Sequence, residues 1–589
     1  MIRDQIHAAV AAATVAAQAA GALPAFDIPT FTIERPRQPD MGDYAASLAM
    51  QLARIARMAP PKIAEAIARH VPPSDHYTVE VAAGYVNFRL TQAHLNQQIG
   101  DVLVQNEKWG DIDLGGGAPA QVEHGSANPT GYATIGTGRN VVVGDTLANT
   151  LVAAGYVVHR EWYINDRGAQ IARFGASLYT HYCAVFGVDV PLPPKGYPGD
   201  DVVTVAQEIA AREGDRLLKL PQDEACRFLG SAGVEIMMAH IRSSLTRLGV
   251  QYDNFFSENS LHISGLADRM LNELRARNVI REHDGAIWFS EDGSPIRAGQ
   301  GVKRDDYAED EDAGVSEEDA GPKAVQAVML RSPRISPNPA DRPTYFFSDV
   351  PYLWNKLVDR GFKLAVYVWG EDHQADVPRL YAAARALSLN ADAVKILIYR
   401  FITIMRSGVE VRMGKRAGNA IWIDDVVDEV GKDAVRFTLL SRSIDTKIIF
   451  DLDLLKEQSD KNPVYYVQYG HARIASIFRN AQETLGAEPL AAGFAAHTCD
   501  LQHESEMALA RKLLELPEIV ALVAATLQPH HYTTYAYALC STFSRFYDDC
   551  RILKQPDAVL FSRLRLAKAA QLTLARVLRL MGMETPEKM

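Results

Sequence analysis

Residues 121–154, QVEHGSANPTGYATIGTGRNVVVGDTLANTLVAA, decide the fold. QVEHGSA reads as a short strand, the glycine-rich stretch after it as a loop, and NVVVGDTLANTLVAAG as a helix. Tyr156–Tyr163 supplies a second strand. Strand, loop, helix and strand in that order outline a parallel nucleotide-binding α/β unit. Glycines in such a loop let backbone approach phosphate, and the helix N-terminus offers free N–H groups and the positive end of its dipole. G-x-G-x-x-G is absent, because Val141 stands three places after Gly138, and the P-loop pattern is absent too. A plain nicotinamide-binding reading therefore loses ground.

Outward from this unit the text changes character. Upstream, an Ala-rich stretch at residues 1–23 predicts a helix rather than a signal peptide, since Asp4, Gln5, His7 and Gln18 interrupt it. Gly42–Asp43–Tyr44 is expected to open a second helical stretch, with Pro60–Pro61 restarting the helix. YTVEVAAGYVNFRL (77–90) predicts strands around a glycine turn, and Gly110–Gly117 suits a linker. Downstream, PTYFFSDV, LAVYVWGEDH and AVKILIYRFITIM continue the α/β pattern, which places Glu123 and Asp349 on strand ends. The acidic run 303–321 reads as a solvated loop without chemistry. From about residue 460 the chain is long helical text, including amphipathic FSRLRLAKAAQLTLARVLRLMG (561–582).

Bulk numbers narrow the classes. The chain has 589 residues, enough for three or four domains, and 48% hydrophobic against 23% charged residues, the balance of a soluble globular protein. No window reaches the roughly 18 strongly apolar residues of a membrane span. Net charge is −11, so any RNA contact must use local basic patches. Five cysteines with no C-x-x-C pair argue against a zinc site or disulfide framework and for a reducing compartment. A second loop, Val411-Arg412-Met413-Gly414-Lys415-Arg416-Ala417-Gly418-Asn419, sets three cations beside two glycines. It suits either a cover over a polyphosphate or a solvated basic turn.

Together SANPTG, GDTLANTL, REWYINDRGAQI, RMGKRAGN and DAVRFTLLSRS resemble arginyl-tRNA synthetases in order and spacing. QPDMGDYAASLAMQLA and GYVNFRL resemble that family's extra N-terminal domain. PTYFFSDVPY and VWGEDHQADVPRL resemble its middle motifs, and KNPVYYVQYGHARI, FSRFYDDC and RLMGMETPEKM its helical anticodon-binding domain. The resemblance runs end to end. It implies three domains: an α+β tRNA-contacting domain (1–110), a Rossmann-like class I catalytic domain (118–455) and an all-α helical bundle (456–589).

The resemblance also implies roles. Glu123, Tyr345 and Asp349 would hold the substrate guanidinium, and carboxylates facing a planar fork of donors give charge-assisted bonds. Asn128 would orient the amino acid's α-groups and Tyr352 would wall the pocket. Ser126, Asn128, Gly136, Thr137, Asp372, His373, Met413 and Lys415 would bind ATP. Thr134, Gly136, Thr137 and Lys415 would act on the reaction, with no resident metal or prosthetic group and Mg2+ arriving with ATP. Arg563, Arg565, Lys568, Arg576 and Arg579 are candidates for RNA contact. The partners implied are arginine, ATP and tRNA(Arg), for a cytoplasmic monomer.

Two signatures depart from the family pattern. P-L-H-x-G-H-G-R is here Tyr132-Ala133-Thr134-Ile135-Gly136-Thr137-Gly138-Arg139, with both histidines replaced by threonine, as in the T-I-G-x version of tryptophanyl synthetases. K-M-S-K is Arg412-Met413-Gly414-Lys415. Threonine still donates a hydrogen bond but is never charged. The expectation is an active arginine–tRNA ligase; the alternative is a catalytically impaired tRNA-binding or regulatory relative.

Overall fold

The computed structural model describes residues 1–36, 38, 41–296, 324–334, 336, 342–411 and 421–589. At its centre lies a five-stranded sheet built from β1 (Pro119–Glu123), β2 (Val157–Ile164), β3 (Asn254–Ser257), β4 (Leu364–Gly370) and β5 (Val394–Tyr399). The spatial order is β5-β4-β1-β2-β3 and every pairing is parallel. Helix α1 (Ile135–Ala153) crosses from β1 to β2, and its side chains are buried nearly all round. The chain runs β1, β2, β3 to one side and then returns to place β4 on β1's other edge. The order therefore reverses between β1 and β4, and the carboxyl ends of those two strands open the crevice where α/β sheets bind ligands.

Helix α2 (Tyr345–Trp354) leads into β4, and α3 (Lys432–Leu440) packs on α1. The sequence reading placed PTYFFSDV among the strands. The structure corrects this: Thr344 caps α2, its hydroxyl accepting from the Phe347 N–H at 3.3 Å, and Asp349 sits one turn inside a helix. Glu123 does close a strand, as expected.

The N-terminal region sets helix Ile2–Ala19 against helix Pro60–His70 beside an antiparallel sheet. Pro60 begins its helix, where a missing N–H is tolerated. Gly42–Asp43–Tyr44 does not open a helix: Tyr44–Ala46 is a strand, held because the Asp43 N–H donates to Phe88 O and the Asp43 carboxylate accepts from the Leu90 N–H, both at 2.7 Å. At the other end, helices including Pro463–Leu485, His530–Asp549 and α4 (Asp557–Leu580) form a bundle.

The cations expected to meet RNA on α4 are occupied within the protein. Arg563 bonds Glu506 at 2.6 Å, Arg565 donates to Phe494 O at 2.7 Å, and Lys568 donates to Gln571 at 2.9 Å. Arg576 pairs with Asp111 and Arg579 with Glu107, so both tie α4 to the segment before β1. The acidic run 303–321 lies outside the described residues.

Candidate active site

Glu123 is the last residue of β1 and is only 5% exposed. Across the sheet it registers with Glu161 on β2 and Tyr367 on β4. Two carboxylates thus stand side by side in the protein interior, and each has its own cation. Glu161 accepts from Arg360 (2.7 Å), Tyr352 (2.6 Å) and Asn254 (2.7 Å). Burial pushes its carboxyl up, but Arg360, Tyr352 and Lys356 overcome that and hold it at about 2. Glu123 accepts from the ammonium of Lys356, which is wholly buried. Burial raises the Glu123 carboxyl, and Lys356 opposes that shift.

Lys356 arrives from a π-helical turn, Asn355–Asp359, that follows α2. Wide turns of this kind often re-aim a side chain at a functional site. Its ammonium lies 3.5 Å from the centre of the Tyr367 ring and 4.1 Å from that of Tyr352. Tyr352 was expected to wall the pocket. It is fully buried, with its hydroxyl on Glu161 and its ring packed 4.7 Å from Tyr163 and from Phe256.

Asp349 points toward the same interior from α2 and has no hydrogen-bond or ion-pair partner among the described residues. Burial, reinforced by the carboxylates of Asp376, Glu123 and Glu258, pushes it well above the usual range. Glu258, which accepts from Ser348 at 2.6 Å, is likewise pushed up, to about 7, first by burial. Tyr345 occupies the rim, 41% exposed, with its hydroxyl donating to Gln170 at 3.2 Å.

The loop after β1 is fixed by close packing. Gly125 has φ +82°, and a Cβ there would stand 2.3 Å from the Trp162 ring, so no side chain fits. Its N–H donates to Asn140 Oδ1 at 2.7 Å, while Asn140 Nδ2 donates to Val368 O at 2.8 Å, which pins the loop to β4. Ser126 is left-handed, and its hydroxyl accepts from the Tyr163 N–H at 3.0 Å. Asn128 accepts from Asn165 at 2.7 Å. Thr134 then caps α1, its hydroxyl 3.4 Å from both the Thr137 N–H and the Thr137 hydroxyl. A Cβ on Gly136 would meet only Thr134 Oγ1, at 3.6 Å. Apart from its chain neighbours and its own helix backbone, no other atom of the described residues comes within 4 Å of that position.

Asp372 and His373 follow β4 on the crevice's other lip. Burial lowers the His373 imidazole, but Asp376 (3.4 Å), Asp372 (3.5 Å) and Asp349 overcome it and hold it protonated, with a pKa of about 9. Met413 and Lys415 lie outside the described residues. The chain that follows them returns to the loop: Ile135 N–H donates to Ile421 O at 3.1 Å, Ile423 N–H to Ala133 O at 2.9 Å, and Trp422 bridges Thr134. The carboxyl end of β1 thus carries an acidic cluster, Glu123 with Asp349 in electrostatic reach, and leads through a glycine- and hydroxyl-bearing loop to the N-terminus of α1.

Comparison with known proteins decides the family. The arginyl tRNA synthetase N terminal domain matches residues 1–90 and the DALR anticodon binding domain residues 467–589. The arginine–tRNA ligase of Dehalococcoides mccartyi (strain CBDB1) is 38% identical over 590 residues, 100% of this chain and 99% of that protein. The chain belongs to the arginyl-tRNA synthetase family. The arginine–tRNA ligase of Heliobacterium modesticaldum is 39% identical over 594 residues, again 100% and 99% of the two chains. The Thermus thermophilus arginyl-tRNA synthetase structure shares the fold, with TM-score 0.73, 21% identity and full coverage of both chains. So does that from Plasmodium falciparum, with TM-score 0.71, 16% identity, 100% of this chain and 99% of that one. This synthetase is an ATP-using ligase that forms aminoacyl-tRNA from arginine, and no described helix is long and apolar enough to cross a membrane.

Sequence reasoning missed Glu161, Lys356, Arg360 and Glu258 in this synthetase. The one available signal was that Glu161, like Glu123, lies on a predicted strand of the same α/β unit.

His124, beside Glu123, yields a test of the core beneath the site. It is buried against α1 at Gly144, hydrogen-bonded to the Tyr252 hydroxyl at 2.8 Å, and pushed down to about 3 by burial. Its native form is neutral, whereas the unfolded chain takes up a proton below 6.5. The stability it contributes is complete above 6.5 and lost as pH falls toward 3. His124→Asn, which keeps a polar atom near Tyr252, should move the acid-unfolding midpoint down by about half a pH unit. An unmoved midpoint in a circular-dichroism titration would show that His124 is not a trigger of acid unfolding.

Proposed function

We propose that the crevice between the carboxyl ends of β1 and β4 binds arginine and ATP side by side. The observation that carries this is Asp349: a half-buried carboxylate with no hydrogen-bond or ion-pair partner among the described residues, within electrostatic reach of Glu123, whose strand leads through the glycine loop to the N-terminus of α1. Burying a charge unpaired is costly unless a ligand completes it. A guanidinium supplies a flat fork of donors for Asp349 and the remaining lone pairs of Glu123, with Tyr345 at the rim. Asn128 meets the α-amino and carboxyl groups. Ser126, Gly136, Thr134, Thr137 and the free N–H groups of α1 meet the phosphates, with Met413 and Lys415 from the second loop. Asp372 and His373 flank the adenosine.

The reaction proceeds in two steps. The arginine carboxylate attacks the α-phosphate of ATP and pyrophosphate leaves; Mg2+ arriving with ATP would help to neutralise the phosphate charge. The terminal ribose hydroxyl of tRNA(Arg) then attacks the carbonyl of the arginyl-adenylate, and AMP leaves. Positioning and charge stabilisation supply the rate, not a side-chain nucleophile. On the C-terminal helices an aromatic face suits base stacking: Tyr465 and Tyr469 stack at 5.9 Å, Tyr469 and Tyr537 are 44% and 46% exposed, and Arg473 covers Tyr547. Five free thiols fit work in the reducing cytoplasm, and we place the enzyme there as a monomer with the three-domain division set out from its sequence.

Charging total tRNA with each of the twenty amino acids in the presence of ATP tests the reading. Only arginine should be transferred; no arginine-dependent charging would favour the impaired relative. Thr134→Ala and Thr137→Ala should each lower kcat by about 10–100-fold with little change in the arginine KM, because their hydroxyls act on developing phosphate charge. Lys415→Ala should behave in the same way. Equal loss in kcat and arginine affinity would contradict the assignment.

A further inference from the structure

We infer that Lys356 is a positioning residue of the amino-acid pocket: it holds Glu123 ionised beneath the guanidinium seat and matches the pocket's charge to a single flat cation. The inference rests on the assignment of Glu123 and Asp349 to arginine.

The charge arrangement carries the argument. Acids crowd this part of the protein. Glu123 lies beside Glu161 on β2, and Asp349 lies within reach of Glu123, Glu258 and Asp376. Glu161 is satisfied by Arg360, Tyr352, Asn254 and Gln121. Asp376 bonds Arg379 at 2.6 Å and His373 at 3.4 Å. At Glu123 the one cation in hydrogen-bond contact among the described residues is Lys356. The other groups facing it are Tyr163 and Glu161 on β2, Tyr367 and Trp369 on β4, and Asp349 and Tyr352 on α2. None of these brings a positive charge.

Lys356 suits the task by placement. It reaches Glu123 from behind, sandwiched between the Tyr352 and Tyr367 rings and wholly shielded from solvent. Aromatic faces stabilise an ammonium without supplying protons that titrate near neutrality. Lys356 cancels one of the two carboxylates, so once an incoming guanidinium has drawn the proton off Asp349, the set of Glu123, Asp349 and Lys356 carries one negative charge to match it. Without Lys356, Glu123 would be a buried, unpaired carboxylate and would take up a proton instead. Arginine would then have to displace that proton.

A double-mutant cycle on the full-length enzyme tests this, with kcat and the arginine KM read at saturating ATP and tRNA between about pH 7 and pH 9. Lys356→Met should raise the arginine KM about tenfold near pH 7 while kcat stays within about threefold. That KM should fall as pH rises and Glu123 loses its proton, more steeply than the wild-type KM, which carries the Asp349 titration alone. Glu123→Gln leaves the ammonium facing the guanidinium seat, so adding Lys356→Met to it should lower the KM about tenfold and restore the pH profile of the wild type. The double variant removes both members of the Glu123–Lys356 pair, so neither charge is left without the other, and it is expected to fold even where Lys356→Met does not. A purely structural lysine predicts a lower melting temperature in Lys356→Met with an unshifted KM and pH profile, and additive effects in the cycle; either result overturns the inference. Asp349→Asn is the control. If it leaves the arginine KM unchanged, the pocket assignment itself fails; if it raises the KM while the cycle is additive, the role of Lys356 alone fails.

Discussion

Asp349→Asn is expected to raise the KM for arginine by roughly 100-fold and, at the same time, to make the ligand-free protein more stable. Both effects follow from one fact: Asp349 is half-buried and has no hydrogen-bond or ion-pair partner among the described residues, and the carboxylates of Asp376, Glu123 and Glu258 around it outweigh the nearby His373. Its pairing with a guanidinium is a charge-assisted, two-pronged bond, and breaking such an enclosed pair costs about 3–5 kcal/mol. Asparagine keeps the shape but offers one acceptor and no charge. In the empty protein the sign reverses. The native carboxyl is raised above its ordinary value, so its contribution is favourable below that value and lost as pH rises through the raised one. The stability gain of Asp349→Asn should therefore grow toward alkaline pH. Melting curves at several pH values, set beside aminoacylation kinetics, check both halves. A variant with normal arginine KM, or one that melts lower at high pH, would remove Asp349 from the seat.

What the sequence made legible was local. The strand, loop and helix of residues 121–154 could be read because their glycines, their cap and their apolar runs lie close together in the chain. The expected site residues on that unit, Glu123, Ser126, Asn128, Thr134, Gly136 and Thr137, lie at the end of β1, in the loop after it and in the cap and first turn of α1. Two errors came from the opposite situation. The segment around Asp349 is rich in aromatics and looks strand-like, but the Thr344 cap and burial of Phe346, Phe347 and Val350 make it a helix. Gly42–Tyr44 was misread because its partner strand lies more than forty residues away.

The ion pairs were the least legible of all. Lys356 is 233 positions from Glu123, and Arg360 is 199 from Glu161. The cations of α4 looked free for RNA because their partners Asp111 and Glu107 are 465 and 472 residues away. A periodic pattern can show that a helix face is charged, but not what that face meets.

Arg436 shows what such a long-range pair holds together, and its removal is the largest expected loss of stability. It lies on α3 with no exposed surface, and its guanidinium serves three separate elements. One arm meets the Asp145 carboxylate midway along α1. Another donates to Leu248 O, 3.1 Å away, just past the helix Gln222–Arg247, and Nε donates to Met581 O, 2.6 Å away, at the end of α4. Gly582 allows this approach, since a Cβ there would fall 2.1 Å from Arg436. The helix that carries the Thr134–Thr137 turn is thereby fastened to the C-terminal bundle. Arg436→Ala leaves a buried carboxylate with only Arg160, 3.8 Å away, and two carbonyls without donors. The expected loss is about 3–5 kcal/mol, read as a fall of roughly 1 M or more in the urea midpoint of the first transition. Lysine should not rescue it, because a point charge cannot serve three acceptors held in a fork. Asp145→Asn combined with Arg436→Met should recover part of the loss, since no charge is then buried alone. If Arg436→Lys were as stable as the parent, the three-way fastening would not be what holds these helices.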